Sequence, residues 1–328
     1  HKFILMKISK NIYPHLIAVG VFLLVSIIFC GTEGFQKNMM LSQQDITGWQ
    51  GMSHQLSVYK DIHGHYPLWI TNMFGGMPAF QVAMEGYWSP LSIFDRLFQL
   101  YLPQPLNFFF LACISFYFMC LCFRIRPLAA VIGALAFAYC SYSPIIITAG
   151  HVTKMLALCY VPAVMGSVYL IFQRKYLLGF SLTALFMTLQ IGQGHQQVSY
   201  YMLFILLAMG ISFAVITTIQ KDWAHVLKSS GMIIVAGILG IAGNFLVLYT
   251  AYDFANDSKR GGQLVMNPDK NSQEKIVDGK TTGLSKDYAF MWSYGKGESW
   301  SLLIPGVMGY GLHQASRDGE PFIFPQVK

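Results

Sequence analysis

Residues 198–219 read VSYYMLFILLAMGISFAVITTI, twenty-two positions without an Asp, Glu, Lys or Arg. A helix needs roughly 20 mostly apolar residues to cross the hydrocarbon core of a bilayer, so this stretch is read as a membrane-spanning helix. Six further runs share its character, at about 12–30, 106–123, 128–147, 155–172, 176–191 and 230–252, and none contains an ionised side chain. All are continuously apolar, without the period-two alternation of a barrel wall. Across the 328 residues, 54% are hydrophobic and 11% charged, against about 25% charged in an ordinary soluble domain. The expected fold is an all-α polytopic membrane protein with about seven transmembrane helices and a long, helical first outer loop at 31–105.

A net charge of +7 raises nucleic acid as a partner. The basic residues fall in short clusters between apolar runs, with no stripe of interleaved cations and aromatics, so no nucleic-acid partner is expected. The same clusters orient the chain, because Lys and Arg in short loops stay cytoplasmic. Lys7 and Lys10 precede the first run, Arg124 and Arg126 follow the second, Arg174 and Lys175 the fourth, and Lys221 and Lys228 the sixth. The N-terminus is therefore placed inside and everything after about 252 outside. Residues 1–252 read as a transmembrane module and 253–328 as an extracytoplasmic segment, truncated at its C-terminus because no closing helix follows. The six cysteines lie in or beside apolar runs without a CxxC pair and read as small buried hydrophobes.

Charge-free spans move the chemistry to the helix mouths. A charge in mid-membrane costs at least about 2.5–3.5 kcal/mol and persists for function, and here none is found. The first outer loop contains Trp49, Met52, Leu56 and Tyr59 at helical spacing. It also holds Leu91, Phe94, Leu97, Phe98 and Tyr101 with Ser92, Asp95, Arg96 and Gln99 opposite, a stripe suited to a membrane-interface helix or to packing against the loop. Asp45 is the candidate catalytic acid–base, although Ser42 and Asp45 also match a capping box. In Gly150-His151-Val152-Thr153-Lys154, Lys154 is a candidate phosphate ligand, or the turn simply caps the next helix. His195, in Gly192-Gln193-Gly194-His195-Gln196-Gln197, forms a second polar turn on the same side. Lys259 and Arg260, followed by Gly261 and Gly262, offer an anion cradle, and Glu298 is a second acid. No HExxH or three-ligand spacing for a metal occurs.

Taken in order, several segments resemble the bacterial YfhO-like membrane proteins, a family placed among GT-C-type glycosyltransferases. They are Asp45 with Trp49 to Met52, Pro67-Leu68-Trp69 with Phe74-Gly75-Gly76-Met77-Pro78, and Ala149-Gly150-His151 with Thr153-Lys154-Met155. Gly194-His195-Gln196-Gln197 with Tyr200-Tyr201, Ser258-Lys259-Arg260-Gly261, Ser285 to Phe290, Trp292 to Gly295 and Glu298 continue the series. The resemblance implies a GT-C-like enzyme of the bacterial cytoplasmic membrane. It would move a sugar from a polyprenyl-phosphate donor to a cell-envelope acceptor on the outer face. Asp45 would be its base, Lys154, Lys259 and Arg260 would hold the donor phosphate, and His151, His195 and Glu298 would shape the pocket. Many GT-C enzymes pair two acids in the first outer loop; here Gln43 and Gln44 precede Asp45, so no cofactor is assigned and a divalent cation lacks its paired carboxylates. A flippase or transporter of a lipid-linked or neutral solute, and a non-catalytic envelope-assembly scaffold, are the competing expectations.

Overall fold

Apolar helices make up most of the computed structural model, which describes residues 2–31, 43–73, 75–82, 92–256, 276–277, 280–281, 296–297 and 299–300. In chain order they are α1 (Lys2–Cys30), α2 (Gln44–His63), α3 (Ser92–Phe98), α4 (Leu106–Cys122), α5 (Pro127–Ala138) and α6 (Tyr142–Ala149). There follow α7 (Val152–Phe172), α8 (Tyr176–Gly192), α9 (Gln196–Ile219), α10 (Trp223–Ala242) and α11 (Phe245–Asn256). Contacts divide the chain into two units, 1–253 and 254–328. In the second, a two-residue antiparallel pair, Ile276–Val277 with Lys280–Thr281, is the strand structure among the described residues.

Five segments are long and apolar enough to cross a membrane: Ile12–Cys30, Pro127–Ala149, Val152–Phe172, Gln196–Ile219 and Trp223–Ala242. Helices α4 and α8 have 17 residues each, the short end of the spanning range. This is an all-α, multi-pass membrane architecture. On α9, Leu203, Phe204, Leu207, Ile211, Val215 and Ile219 are each more than half exposed. In water such a stripe would be adhesive; in lipid it is an ordinary wall.

Two expected spans are redrawn. The run at 128–147 is two helices, α5 and α6, with a break between Ala138 and Tyr142. The run at 230–252 is displaced: α10 begins at Trp223 and ends at Ala242, and α11 takes the remainder. The early start has a cap, since Asp222 Oδ1 accepts the His225 N–H at 3.2 Å. The end has a plug. Asn244 donates to the carbonyls of Thr188 and Gly240, both at 2.9 Å, so its amide competes with helix continuation. Lys228 consequently lies inside a helix expected to be free of charge.

Helix α7 occupies the centre, packed on α4, α8, α9 and α10. Lipid tails are as apolar as leucine, so helices in a bilayer associate through close packing and polar contacts. Gly166 supplies the first: a Cβ there would stand 2.9 Å from the Met119 Cα of α4. His15 Nδ1, 2.8 Å from the Tyr117 hydroxyl, and Ser26 Oγ, 2.9 Å from that of Tyr139, supply the second and tie α1 to the bundle. Cys113, Cys120, Cys122 and Cys159 are buried in it, whereas Cys140 is exposed at the α5–α6 break.

After α2 the chain makes a two-residue antiparallel pair, β1 (Trp69–Ile70) with β2 (Met77–Pro78). Elements this short have no periodicity to read in sequence. The pairing brings Pro67-Leu68-Trp69 onto Gly75-Gly76-Met77-Pro78, and the Trp69 indole covers Gly76 (φ +117°), where a Cβ would meet Nε1 at 2.4 Å. Leu56, Ile70 and Ala79 form a small core beneath.

Four successive connections, from α6 to α10, share one turn. Its first residue is left-handed: Gly150 (φ +96°), Arg174 (+63°), Gly194 (+70°) and Lys221 (+59°). Each bonds its N–H to the carbonyl three residues back. The second residue is the N-cap of the next helix: His151, Lys175, His195 and Asp222. In three of the four, its N–H reaches five residues back as well, the Schellman arrangement. Because the helices alternate in direction, Gly150-His151 and Gly194-His195 share one end of the bundle, the histidine end. Arg174-Lys175 and Lys221-Asp222 share the other, the basic end.

Candidate functional site

The N-terminus of α2 rests on the Gly150 turn. Gln43 is the N-cap of α2 and makes no side-chain cap; Ser42, the other half of the alternative capping-box reading of Asp45, lies outside the described residues. The buried Gln43 amide donates to the Ile147 carbonyl near the end of α6, satisfying one of the acceptors a helix C-terminus leaves open. Asp45, in the first turn of α2, places Oδ2 2.8 Å from His151 Nε2, with both side chains about half exposed. At that distance the imidazole N–H donates to the carboxylate. A carboxylate in this position is also favoured by the positive end of the α2 dipole. Gly150 permits the approach: a Cβ on it would lie 3.1 Å from Ile46 N and 3.2 Å from Asp45 Cβ.

Positive potential gathers around this pair. No side chain caps the N-terminus of α7 or of α9. Val152 N–H bonds the Gly150 carbonyl and Val198 N–H that of His195, so the groups these first turns offer an anion are the N–H groups of Thr153 and Lys154 in α7 and of Gln196 and Gln197 in α9. Lys154 stands in the first turn of α7, where a cation opposes the helix dipole, with Nζ 5.2 Å from the centre of the Tyr142 ring. His195 is close enough to Lys154 and His151 to feel both. Desolvation first, then the charges of Lys154 and His151, hold its pKa below the usual histidine value. Its Nε2 is buried without a hydrogen-bond partner among the described residues. Asp45, His151, Lys154 and His195 are thus assembled at one end of the bundle. Lys259, Arg260 and Glu298 lie outside the described residues.

Close to this cluster sits an acid that sequence places on the plain polar face of α3. Asp95 Oδ1 accepts the Tyr160 hydroxyl of α7 at 2.5 Å and the Gln193 amide, at the end of α8, at 3.3 Å. Nearby, Gln99 Oε1 accepts the Asn107 amide at 2.6 Å. Gln190 Oε1 accepts the Ser199 hydroxyl at 2.9 Å, while its fully buried amide nitrogen has no partner among the described residues. Asp95 and, just past α3, Gln99 therefore turn inward, while Ser92 and Arg96 stay exposed. The apolar stripe of α3, Ile93, Phe94, Leu97 and Tyr101, is exposed, as on a helix lying in a membrane interface, although Phe98 packs inward on Phe186. The legible signal is the run of amides and Tyr160 inside otherwise apolar helices.

At this end the side chains among the described residues offer a divalent cation no paired carboxylates. Among the described residues no three His, Cys, Asp or Glu side chains converge, Asp45 is joined to a histidine rather than a second acid, and Asp95 is engaged by Tyr160 and Gln193. What the arrangement can do is accept a proton at Asp45 while Lys154 and two helix N-termini face negative charge beside it. Comparison with known family models, curated proteins and solved structures finds no match.

Proposed function

We propose that this chain is the membrane-embedded part of a GT-C-like glycosyltransferase. It would cross the bilayer seven times, with α4 and α8 as short spans, its N-terminus cytoplasmic and its histidine end outside. The supporting observation is the juxtaposition of the Asp45–His151 pair with Lys154 and the unpartnered His195 Nε2. In this reading an acceptor hydroxyl attacks the anomeric carbon of a polyprenyl-phosphate-linked sugar, and Asp45 takes the hydroxyl proton. The bond between that carbon and the phosphate oxygen breaks, its electron pair leaving with the polyprenyl phosphate. Lys154 and the N–H groups opening α7 stabilise the charge that develops there. His151 is a positioning residue, holding Asp45 through the 2.8 Å contact. The exposed stripe of α3 would rest at the lipid surface from which such a donor arrives.

Asp45→Asn tests it directly, with transfer measured from a radiolabelled polyprenyl-phosphate sugar in reconstituted vesicles. A general base contributes about 10²–10⁴ in rate, so transfer should fall by that factor at unchanged protein level. Undiminished transfer would remove Asp45 from the mechanism. Movement of substrate across the vesicle membrane without a new glycosidic bond would favour a transporter.

A further inference from the structure

The basic end of the bundle carries a second built cluster, independent of the transferase reading. The Arg174 guanidinium bonds the Asp222 carboxylate and lies within reach of the Tyr176 hydroxyl. Lys228 Nζ stands 4.0 Å from the centre of the Tyr176 ring. That ring is fixed: its hydroxyl is 2.7 Å from Nδ1 of the buried His225, whose Nε2 is 3.0 Å from the Phe172 carbonyl. Two cations therefore flank one hydrogen-bonded tyrosine at the mouth of the α8–α10 cleft. With the exposed Lys175 and Lys221 of the adjoining turns, these two connections and the start of α10 carry four cations and, among the described residues, the one carboxylate of Asp222.

Below this mouth a groove of about 370 Å³ is lined by Phe180 of α8 and by Leu227, Lys228, Gly231, Met232 and Val235 of α10. Phe180 lies one turn along α8 from Tyr176, and Gly231, Met232 and Val235 follow Lys228 at helical spacing on one face. Lys228 is the one charged residue among them, at the end nearest Tyr176. The groove is shallow and open, and at Gly231 a Cβ would meet nothing within 4 Å, which leaves room for a chain to lie along it.

We infer that this groove binds one anionic phospholipid, its acyl chain along Phe180, Gly231, Met232 and Val235 and its phosphate between Lys228 and Arg174. The charge is complementary, and the apolar floor opens on the side where the exposed leucines and isoleucines of α10 meet lipid. Arg174 has donors left after engaging Asp222, Lys228 supplies a compact point charge, and basic pockets between membrane helices are suited to lipid phosphates.

Native mass spectrometry of the purified chain, after exchange into phosphatidylglycerol or phosphatidylcholine of identical acyl chains, tests the assignment. Phosphatidylglycerol should be retained preferentially, and Lys228→Ala should reduce that preference about fivefold, the weight of one lysine near an anionic headgroup. Gly231→Phe, filling the groove, should cut retention of both lipids while Lys228 is intact. Both positions are exposed on a helix, so the variants should keep wild-type helicity, read by circular dichroism; Lys228→Gln serves if the alanine variant does not. Equal retention of the two lipids, or a preference unchanged in both variants, overturns the site. Competition by inorganic phosphate with Gly231→Phe silent would leave a simple anion site and overturn the lipid assignment.

Discussion

The two ends of the bundle stop their helices with the same backbone turn and fill it with opposite residues. At the basic end Arg174 and Lys221 accept left-handed backbone at φ +63° and +59°, a strain of about 1–2 kcal/mol for a residue with a Cβ. At the histidine end the same positions are Gly150 and Gly194. The difference between those two glycines is instructive. A Cβ added to Gly194 would meet nothing within 4 Å, so only its φ asks for glycine, whereas Gly150 also lies under Asp45 and Ile46 of α2. A turn that merely reverses the chain tolerates an arginine; a turn that receives another helix does not. The charge placed at each end follows suit. Arg174 and Asp222 form an exposed pair of the kind that adds little stability, while Lys154 sits against its helix dipole beside a desolvated histidine.

The contrast can be broken most forcefully at residue 150. Gly150→Val combines left-handed strain in a β-branched residue with a 3.1 Å approach to Ile46, and should cost roughly 3 kcal/mol. It should also separate Asp45 from His151, read as altered cross-linking between cysteines placed on α2 and α6 and, on the proposed transferase reading, as lost transfer. Gly194→Ala should cost only about 1 kcal/mol, since strain acts alone; a loss equal to that at 150 would dissolve the distinction. Lys221→Gly should have the opposite sign, raising stability in detergent unfolding by about 0.5–1 kcal/mol as the left-handed strain is relieved.

The smallest expected effect concerns pH. The folded pKa of His195 lies below its ordinary 6.5, so between the two values the unfolded chain binds more protons. Stability is then fully present above about pH 6.5 and declines as the pH falls toward the folded pKa. His195→Gln should flatten this part of the profile, measured as the denaturation midpoint between about pH 5 and 8. An unchanged slope would mean that the histidine end is not desolvated as described.

Much of the fold is legible in sequence because lipid imposes a length and a composition on any helix that crosses it. The runs around 12–30, 155–172 and 198–219 lie within α1, α7 and α9. Hydropathy has no means of showing where a side chain interrupts a helix. The Asn244 amide divides the last run, and Asp222 caps α10 well before its charge-free stretch begins. At the site, the residue types Asp45, His151, Lys154 and His195 are readable from their polar turns. Their roles shift on contact: Asp45 reads as a base or as part of a capping box, and the fold bonds it to His151, far along the chain. Asp95 carries no such signal, because its partners, Tyr160 and Gln193, come from elsewhere in the bundle.

Sequence alone determined that this chain dissolves in lipid and that its charges collect at the helix mouths, since an unpaired charge in hydrocarbon costs too much to be placed casually. Tertiary structure decided which of those charges meet. Packing α2 onto Gly150 joined an acid to a histidine, and the rotation of α3 turned Asp95 inward and left Phe94 and Leu97 exposed. Such contacts depend on a glycine's missing Cβ and on the rotation of a helix about its axis, and neither is carried by the periodicity of a single segment.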